Sequence, residues 1–242
     1  MSLLLELLEE QQEQDENDND NNDSPADHPV FGHAQTVLVG NNALAVQAAA
    51  LQAKELGYHP IILGTQIEGE AKEIAKMYTR MALHLKQQED AEESTLLYSM
   101  APSLPVALIA GGETTVSLNE DASSGIIIGK GGRNQELALS AALELHSLGL
   151  QNVVLASAGT DGTDGPTDAA GAMVDAHTIV LDENETLLKE ARRALTNHDA
   201  YPFFDALGNG NDNDESPPED RPLIKTGPTG TNVADVCVTL IR

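Results

Sequence analysis

The chain is poor in several residue types that particular protein classes require. It has no tryptophan and one cysteine, and aromatic residues make up 3% of its 242 residues. The single cysteine, Cys237, excludes a disulfide-stabilised scaffold and indicates a reducing compartment, so a cytoplasmic protein is expected. No apolar run reaches the roughly 20 residues that a helix needs to cross a bilayer, so no membrane contact is expected.

Positively charged residues are also scarce. The sequence has 13 Lys and Arg against 39 Asp and Glu, which gives a formal net charge of −26. Because nucleic acids are bound through cationic contacts to their phosphates, a nucleic-acid partner is not expected. Residues 1–35 are predicted to be a disordered acidic leader, because so polar a segment buries too little apolar area to offset its ordering entropy. A second acidic segment, residues 209–221, is predicted to be a loop.

Apolar runs alternate with helical patterns through the rest of the chain, residues 36–242. The order predicts an α/β fold with a mixed, partly parallel sheet and helices packed on its faces. A parallel pair is expected where a strand, a helix and a strand follow one another within about 30 residues. The predicted strands are 36–39, 60–63, 106–109, 126–128, 153–156 and 236–241, and the predicted helices are 43–56, 68–87, 137–148, 169–174, 185–195 and 200–207.

Three glycine-rich polar turns lie beside these predicted elements, at residues 131–136, 159–168 and 227–232. Turns of this kind bare backbone N–H groups and short polar side chains where a regular element ends. Three of them in one domain suggest a site for a phosphorylated or carboxylated small molecule.

The first turn is predicted to open a helix. Its glycines, Gly132 among them, allow the backbone to approach a ligand, and Asn134 is placed to cap the helix. Arg133 offers a planar fork for a carboxylate or a phosphoryl group. The alternative is an ordinary turn with a solvated arginine, and the pattern is not that of a Walker P-loop.

The second turn follows a predicted buried strand, where open α/β sheets bind ligands. Asp161, nearest the strand end, is the predicted Mg²⁺ ligand, and Thr160 beside it is a candidate contact to phosphate. The alternative is that the aspartates of this turn only cap local structure, which is favoured for Asp164.

Two further turns complete the candidate site. Each adjoins a predicted strand and offers amides and hydroxyls to a phosphate or a sugar. The candidate binding residues there are Gly112, Glu113 and Thr114 in one turn, and Thr229 and Asn232 in the other.

Taken together, these motifs resemble the C-terminal half of the glycerate kinases that carry a MOFRL domain. The resemblance covers residues 36–242, with a MOFRL-type core at about 105–242. It implies ATP-dependent phosphorylation of D-glycerate in a cleft between two α/β domains, with ATP and Mg²⁺ as cofactors. It also matches Arg133 to the family's catalytic arginine and places Asp161 beside the same cleft. The matching segments are Gly111–Val116, Gly131–Leu139, Gly159–Gly171, Asn197–Phe204 and Gly227–Asp235.

The sequence departs from that family in one respect. Family members carry a Gly-Lys-Ala motif with a catalytic lysine and a Ser-Gly-Gly-Gly-Ser phosphate loop, and this sequence contains neither. We therefore expect an incomplete or truncated chain that is inactive on glycerate by itself. Two alternatives stay open: a non-catalytic module that binds a ligand or partner, and a hydroxypyruvate reductase, for which no dinucleotide fingerprint is visible.

Overall fold

The computed structural model describes residues 39–89, 102–118, 129–179, 185–208 and 221–242. The predicted strand at 126–128, most of the one at 36–39, the leader and most of the second acidic segment lie outside these ranges. The described helices are α1 (Asn42–Glu55), α2 (Ala71–Glu89), α3 (Arg133–Leu148), α4 (Thr186–Thr196) and α5 (Ala200–Gly208). The described strands are β1 (His59–Glu70), β2 (Val106–Thr115), β3 (Val153–Gly159), β4 (Gly171–Asp175), β5 (Leu223–Ile224) and β6 (Asp235–Ile241).

The described strands form one sheet in the order β1-β2-β6-β3-β4-β5. Strands β1 and β2 are parallel and are joined through α2, whereas every other neighbouring pair is antiparallel. The predicted α/β class and mixed, partly parallel sheet are therefore confirmed. Strand β6 follows all the other strands in the sequence but pairs with both β2 and β3 near the middle of the sheet.

Both faces of the sheet are covered around β2. Val106 and Leu108 belong to a larger core beneath α2, α3, α4 and α5, whereas Ala107 and Ile109 belong to a smaller core beneath α1. This alternation follows from the period of two in a strand, which sends successive side chains to opposite faces. No helix among the described residues is long and apolar enough to cross a membrane.

Three of the predicted helices differ from the structure. The helix predicted at 137–148 begins earlier, at Arg133. The helix predicted at 68–87 begins only at Ala71, because Glu68, Gly69 and Glu70 still pair with β2. The short helix predicted at 169–174 is wrong: Gly171–Asp175 is strand β4, antiparallel to β3. Its glycine suits this place, because a Cβ at Gly171 would lie 1.9 Å from the carbonyl oxygen of Ser157.

Candidate active site

The candidate site lies where three strands and the start of α3 meet. Strand β6 runs antiparallel to β2 and β3, so its first residue, Asp235, pairs with Gly112 near the end of β2 and with Gly159 at the end of β3. The carboxyl ends of β2 and β3 therefore share one edge with Asp235. This is the kind of edge at which open α/β sheets bind ligands.

Arg133, the first residue of α3, reaches back to this edge. Its Nε and Nη2 donate to the two carboxylate oxygens of Asp235, at 2.6 and 2.9 Å. Its Nη1 lies 3.0 Å from Oε1 of Glu113, near the end of β2. Hydrogen bonding to Asp235 is the largest cause that raises the pKa of Arg133 above its ordinary value, so this guanidinium is always charged.

An open cleft of about 820 Å³ adjoins Arg133. Its walls come from the ends of β1 and β2, the start of α3, the turn after β3 and the loop before α5. The cleft is therefore formed by several separate segments of the sequence, as in most small-molecule sites. The lining residues that carry charge or can gain it are Glu68, Glu113, Arg133, Glu136, Asp164 and His198.

The N-terminus of α3 is capped by a carboxylate from another loop. Oδ1 of Asp164 accepts hydrogen bonds from the backbone N–H of Asn134 at 3.1 Å, and Oδ2 accepts from that of Gln135 at 2.9 Å. The prediction that Asn134 caps this helix is wrong. Asn134 lies inside α3, where its amide donates to Asp164 and its oxygen accepts from Ser157. Asp164 is thus a capping residue, as the sequence favoured, but it caps α3 and not the structure of its own turn.

Glycines in and beside the first and second turns allow neighbouring loops to pack closely. A Cβ on Gly132 would lie 2.3 Å from the carboxylate carbon of Asp164, and one on Gly165 would lie 2.2 Å from the carbonyl oxygen of Gly131. A Cβ on Gly129 would lie 2.4 Å from Cβ of Asp199. In this structure the glycines bring backbone close to protein atoms, and the amides of Asn134 and Gln135 at the start of α3 already bind Asp164.

Three backbone N–H groups at the start of the first turn are available to bind a ligand. Those of Gly131, Gly132 and Arg133 have no hydrogen-bond acceptor among the residues that the structure describes. Together with the Arg133 guanidinium, they form the part of the site suited to an anion.

Sequence reasoning missed a buried pair in the cleft wall. Nδ1 of His198 lies 2.8 Å from Oε2 of Glu136, and both side chains are largely buried. Backbone bonds hold the His198 loop against the first turn: Gly129 N–H donates to Asn197, and Tyr201 N–H donates to Lys130. A signal was present, because Glu136 stands three residues after Arg133 and so projects from the same side of the helix.

The remaining predicted residues lie in two loops beside the cleft. Thr160 donates to the carbonyl oxygen of Ala234, and Thr229 donates to that of Thr160. The amide of Asn232 donates to Oδ2 of Asp161, whose Oδ1 accepts from the N–H of Thr163. These bonds join the turn after β3 to the loop before β6, and none of the four predicted residues lines the 820 Å³ cleft.

Gly112 and Thr114 complete the set of predicted residues. Gly112 has φ of +145°, and a Cβ there would lie 2.2 Å from the carbonyl oxygen of Ile67 in β1. Thr114 lines the cleft, although its hydroxyl is buried. The described residues contain no group of three or more His, Cys, Asp or Glu placed to hold a metal ion.

Comparison with known proteins places this chain in a family. The chain is 37% identical over 239 residues to a glycerate kinase of Mus musculus, aligned over 87% of this chain and 42% of that protein. It is 38% identical over 204 residues to the D-glycerate 2-kinase of Thermotoga maritima, over 84% of this chain and 41% of that protein.

Solved structures agree. A crystal structure of the glycerate kinase of Thermotoga maritima matches with a TM-score of 0.65 and 37% identity, over 86% of this chain and 42% of that one. A protein of Pyrococcus horikoshii matches with a TM-score of 0.62 and 32% identity, over 86% and 40%. The chain therefore spans less than half the length of these relatives.

Residues 106–235, more than half of the chain, match the MOFRL family. This chain belongs to the MOFRL family.

Proposed function

We propose that this chain forms the Arg133 part of a glycerate kinase active site, in which ATP phosphorylates D-glycerate. The observation that carries the proposal is the Arg133–Asp235 pair, which fixes a permanent positive charge at the wall of an 820 Å³ cleft. The glycerate kinases among its relatives support the choice of substrate. In this proposal residues 36–242 are one C-terminal α/β domain of a cytoplasmic enzyme.

The chemistry that Arg133 can supply is electrostatic. A transferring phosphoryl group carries charge on its outer oxygens, and catalysis of its transfer is mainly positioning and charge stabilisation. Asp235 takes the Nε–Nη2 edge of the guanidinium and so orients the Nη1 end toward the cleft. The N–H groups of Gly131 and Gly132 add neutral donors beside it.

The described residues suit a magnesium ion that protein carboxylates and the phosphates of a nucleotide would coordinate together. Mg²⁺ keeps several waters and usually takes one or two protein carboxylates, so the lack of a three-residue cluster in the described part of the chain is compatible with it. Asp161, in the turn after β3 beside the cleft, is the proposed carboxylate. When bound with ATP, the ion would neutralise charge on the phosphates.

Calorimetry tests the role of Arg133. Mg·ATP and D-glycerate are titrated into the full chain and into Arg133→Ala and Arg80→Ala variants. Arg80 is a matched control, because it is an exposed arginine paired with Glu144 outside the cleft lining. We expect saturable binding that Arg133→Ala abolishes and Arg80→Ala retains. Equal binding by all three proteins would overturn the proposal.

A turnover assay separates a partial enzyme from a binding module. The sequence lacks the family's Gly-Lys-Ala and phosphate-loop motifs, so the full chain alone is expected to phosphorylate no glycerate. Adding the N-terminal part of a related glycerate kinase is then expected to restore Arg133-dependent turnover. Binding without restored turnover would favour the non-catalytic module.

A further inference from the structure

The two carboxylates that bind Arg133 differ in how easily a ligand can replace them. The side chain of Asp235 is 9% exposed and accepts from two nitrogens of the guanidinium. That of Glu113 is 61% exposed and contacts only Nη1. Exposed ion pairs contribute little to stability, whereas removing one partner of a buried pair is costly. Glu113 is therefore the partner that can leave.

Glu113 also stands where an incoming anion would bind. A guanidinium presents two edges to a carboxylate or phosphate, and Asp235 uses the Nε–Nη2 edge. The Nη1–Nη2 edge is left for a ligand, and Oε1 of Glu113 lies 3.0 Å from its Nη1. A phosphate that binds at this edge must displace the Glu113 carboxylate.

The neighbouring charge keeps Glu113 on Arg133 when no ligand is present. Glu113 pairs in register with Glu68 on the adjacent strand, and both line the cleft. Like charges on neighbouring strands repel, so the Glu113 carboxylate is more stable beside Arg133 than beside Glu68. The backbone of Glu113 is fixed in β2, and displacement thus needs only a side-chain rotation.

We propose that Glu113 is a displaceable substitute for the ligand's anionic group and that it sets the affinity of the cleft for phosphates. This inference rests on the proposed function, because it takes Arg133 as the residue that binds the phosphoryl group during its transfer to glycerate. Glu113 gives Arg133 a partner in the free protein and makes each phosphate compete with a carboxylate already in place.

The test measures binding of pyrophosphate to the full chain by calorimetry in metal-free buffer. The variants are Glu113→Gln, Glu113→Ala, Arg133→Ala and Glu68→Gln. Glu68→Gln is the matched control, because it removes the same charge from the same cleft without touching Arg133. Circular dichroism verifies that each variant is folded.

We expect Glu113→Gln and Glu113→Ala to bind pyrophosphate about 2- to 5-fold more tightly than the unsubstituted chain, as an exposed ion pair allows. Glu68→Gln is expected to raise the affinity by less than about 2-fold, because it removes the same charge while the Glu113 carboxylate stays on Nη1 of Arg133. Arg133→Ala is expected to lose binding.

Three results would overturn the inference. The first is unchanged or weaker binding in both Glu113 variants. If Arg133→Ala loses binding in that case, the proposed function stands although the inference fails. An equal gain in Glu68→Gln would show a general charge effect. Absence of binding in every protein would show that freeing Arg133 creates no phosphate site. Unchanged binding in Arg133→Ala would instead refute the proposed role of Arg133.

Discussion

The position of Arg133 depends on one buried side chain, the carboxylate of Asp164. Asp164 is 3% exposed and holds the first turn of α3, at whose start Arg133 stands. Burial raises its pKa above the ordinary 3.8, although the helix amides lower it in part. Desolvation thus outweighs the favourable helix N-terminus.

This shift predicts how stability depends on pH. Because the folded pKa of Asp164 exceeds the unfolded one, the folded chain holds the proton more tightly, and the contribution of Asp164 to stability falls as pH rises from about 4 through the folded pKa. Urea unfolding of the unsubstituted chain and of Asp164→Asn, measured from pH 4 to 7, should show the former losing stability relative to the variant. A difference that is constant with pH would contradict the shift.

Gly132 offers a second test at the scale of one residue. Its backbone conformation is open to any residue, so Gly132→Ala introduces only a clash, with a Cβ 2.3 Å from the Asp164 carboxylate carbon. We expect a loss of about 1 to 3 kcal/mol in the free energy of unfolding, the usual cost of overpacking.

Gly40→Ala is the control for this measurement, because its Cβ would lie at an ordinary 3.7 Å from Cγ1 of Val233. Denaturant unfolding of both variants should show a large loss only for Gly132→Ala. Equal stabilities would mean that the first turn moves aside without cost.

The elements differ in how well the sequence predicts them. The end of α3 was predicted from Gly149, which takes the left-handed conformation with φ of +59°. Its beginning was not, because the capping carboxylate of Asp164 comes from 30 residues further along the chain. Strand β4 was mistaken for a helix, because its pairing with β3 overrides a weak local pattern. Local signals are readable from sequence, whereas contacts between distant segments are not.

The same limit applies to the site. Arg133 and Glu113 each adjoin a glycine-rich turn in the sequence, but their ion pair forms only because the start of α3 lies beside the end of β2. The partner that orients Arg133, Asp235, has no local feature that distinguishes it from other aspartates. It becomes recognisable only when β6 is placed between β2 and β3.

The placement of Cys237 in β6 gives a test of that strand. Burial raises the pKa of this thiol to about 12, so almost no reactive thiolate is present at pH 8. We expect a thiol reagent such as DTNB to modify the folded chain only as fast as it unfolds, at a rate that rises with urea. Modification at the rate of a free thiol in native buffer would show that β6 opens locally.

At the scale of the whole molecule, charge opposes the proposed ligands. A net charge of −26 repels ATP and pyrophosphate at long range. Salt screens this repulsion beyond about 10 Å at 0.1 M, so the association rate of pyrophosphate should rise with ionic strength. Stopped-flow measurements at low and moderate salt test this. A falling rate would mean that the local field of Arg133 governs the approach.

The central place of β6 has a consequence for how the protein is made. Strands β1 and β2 form one part of the sheet and β3, β4 and β5 another, and among the described strands it is β6 that pairs with both parts. On the ribosome, both parts emerge before Asp235 does. Until then the inner edges of β2 and β3 present unpaired backbone groups, the kind of surface at which nascent chains aggregate or recruit chaperones. Translation must therefore reach β6 before the arginine site or the six-stranded sheet can be completed.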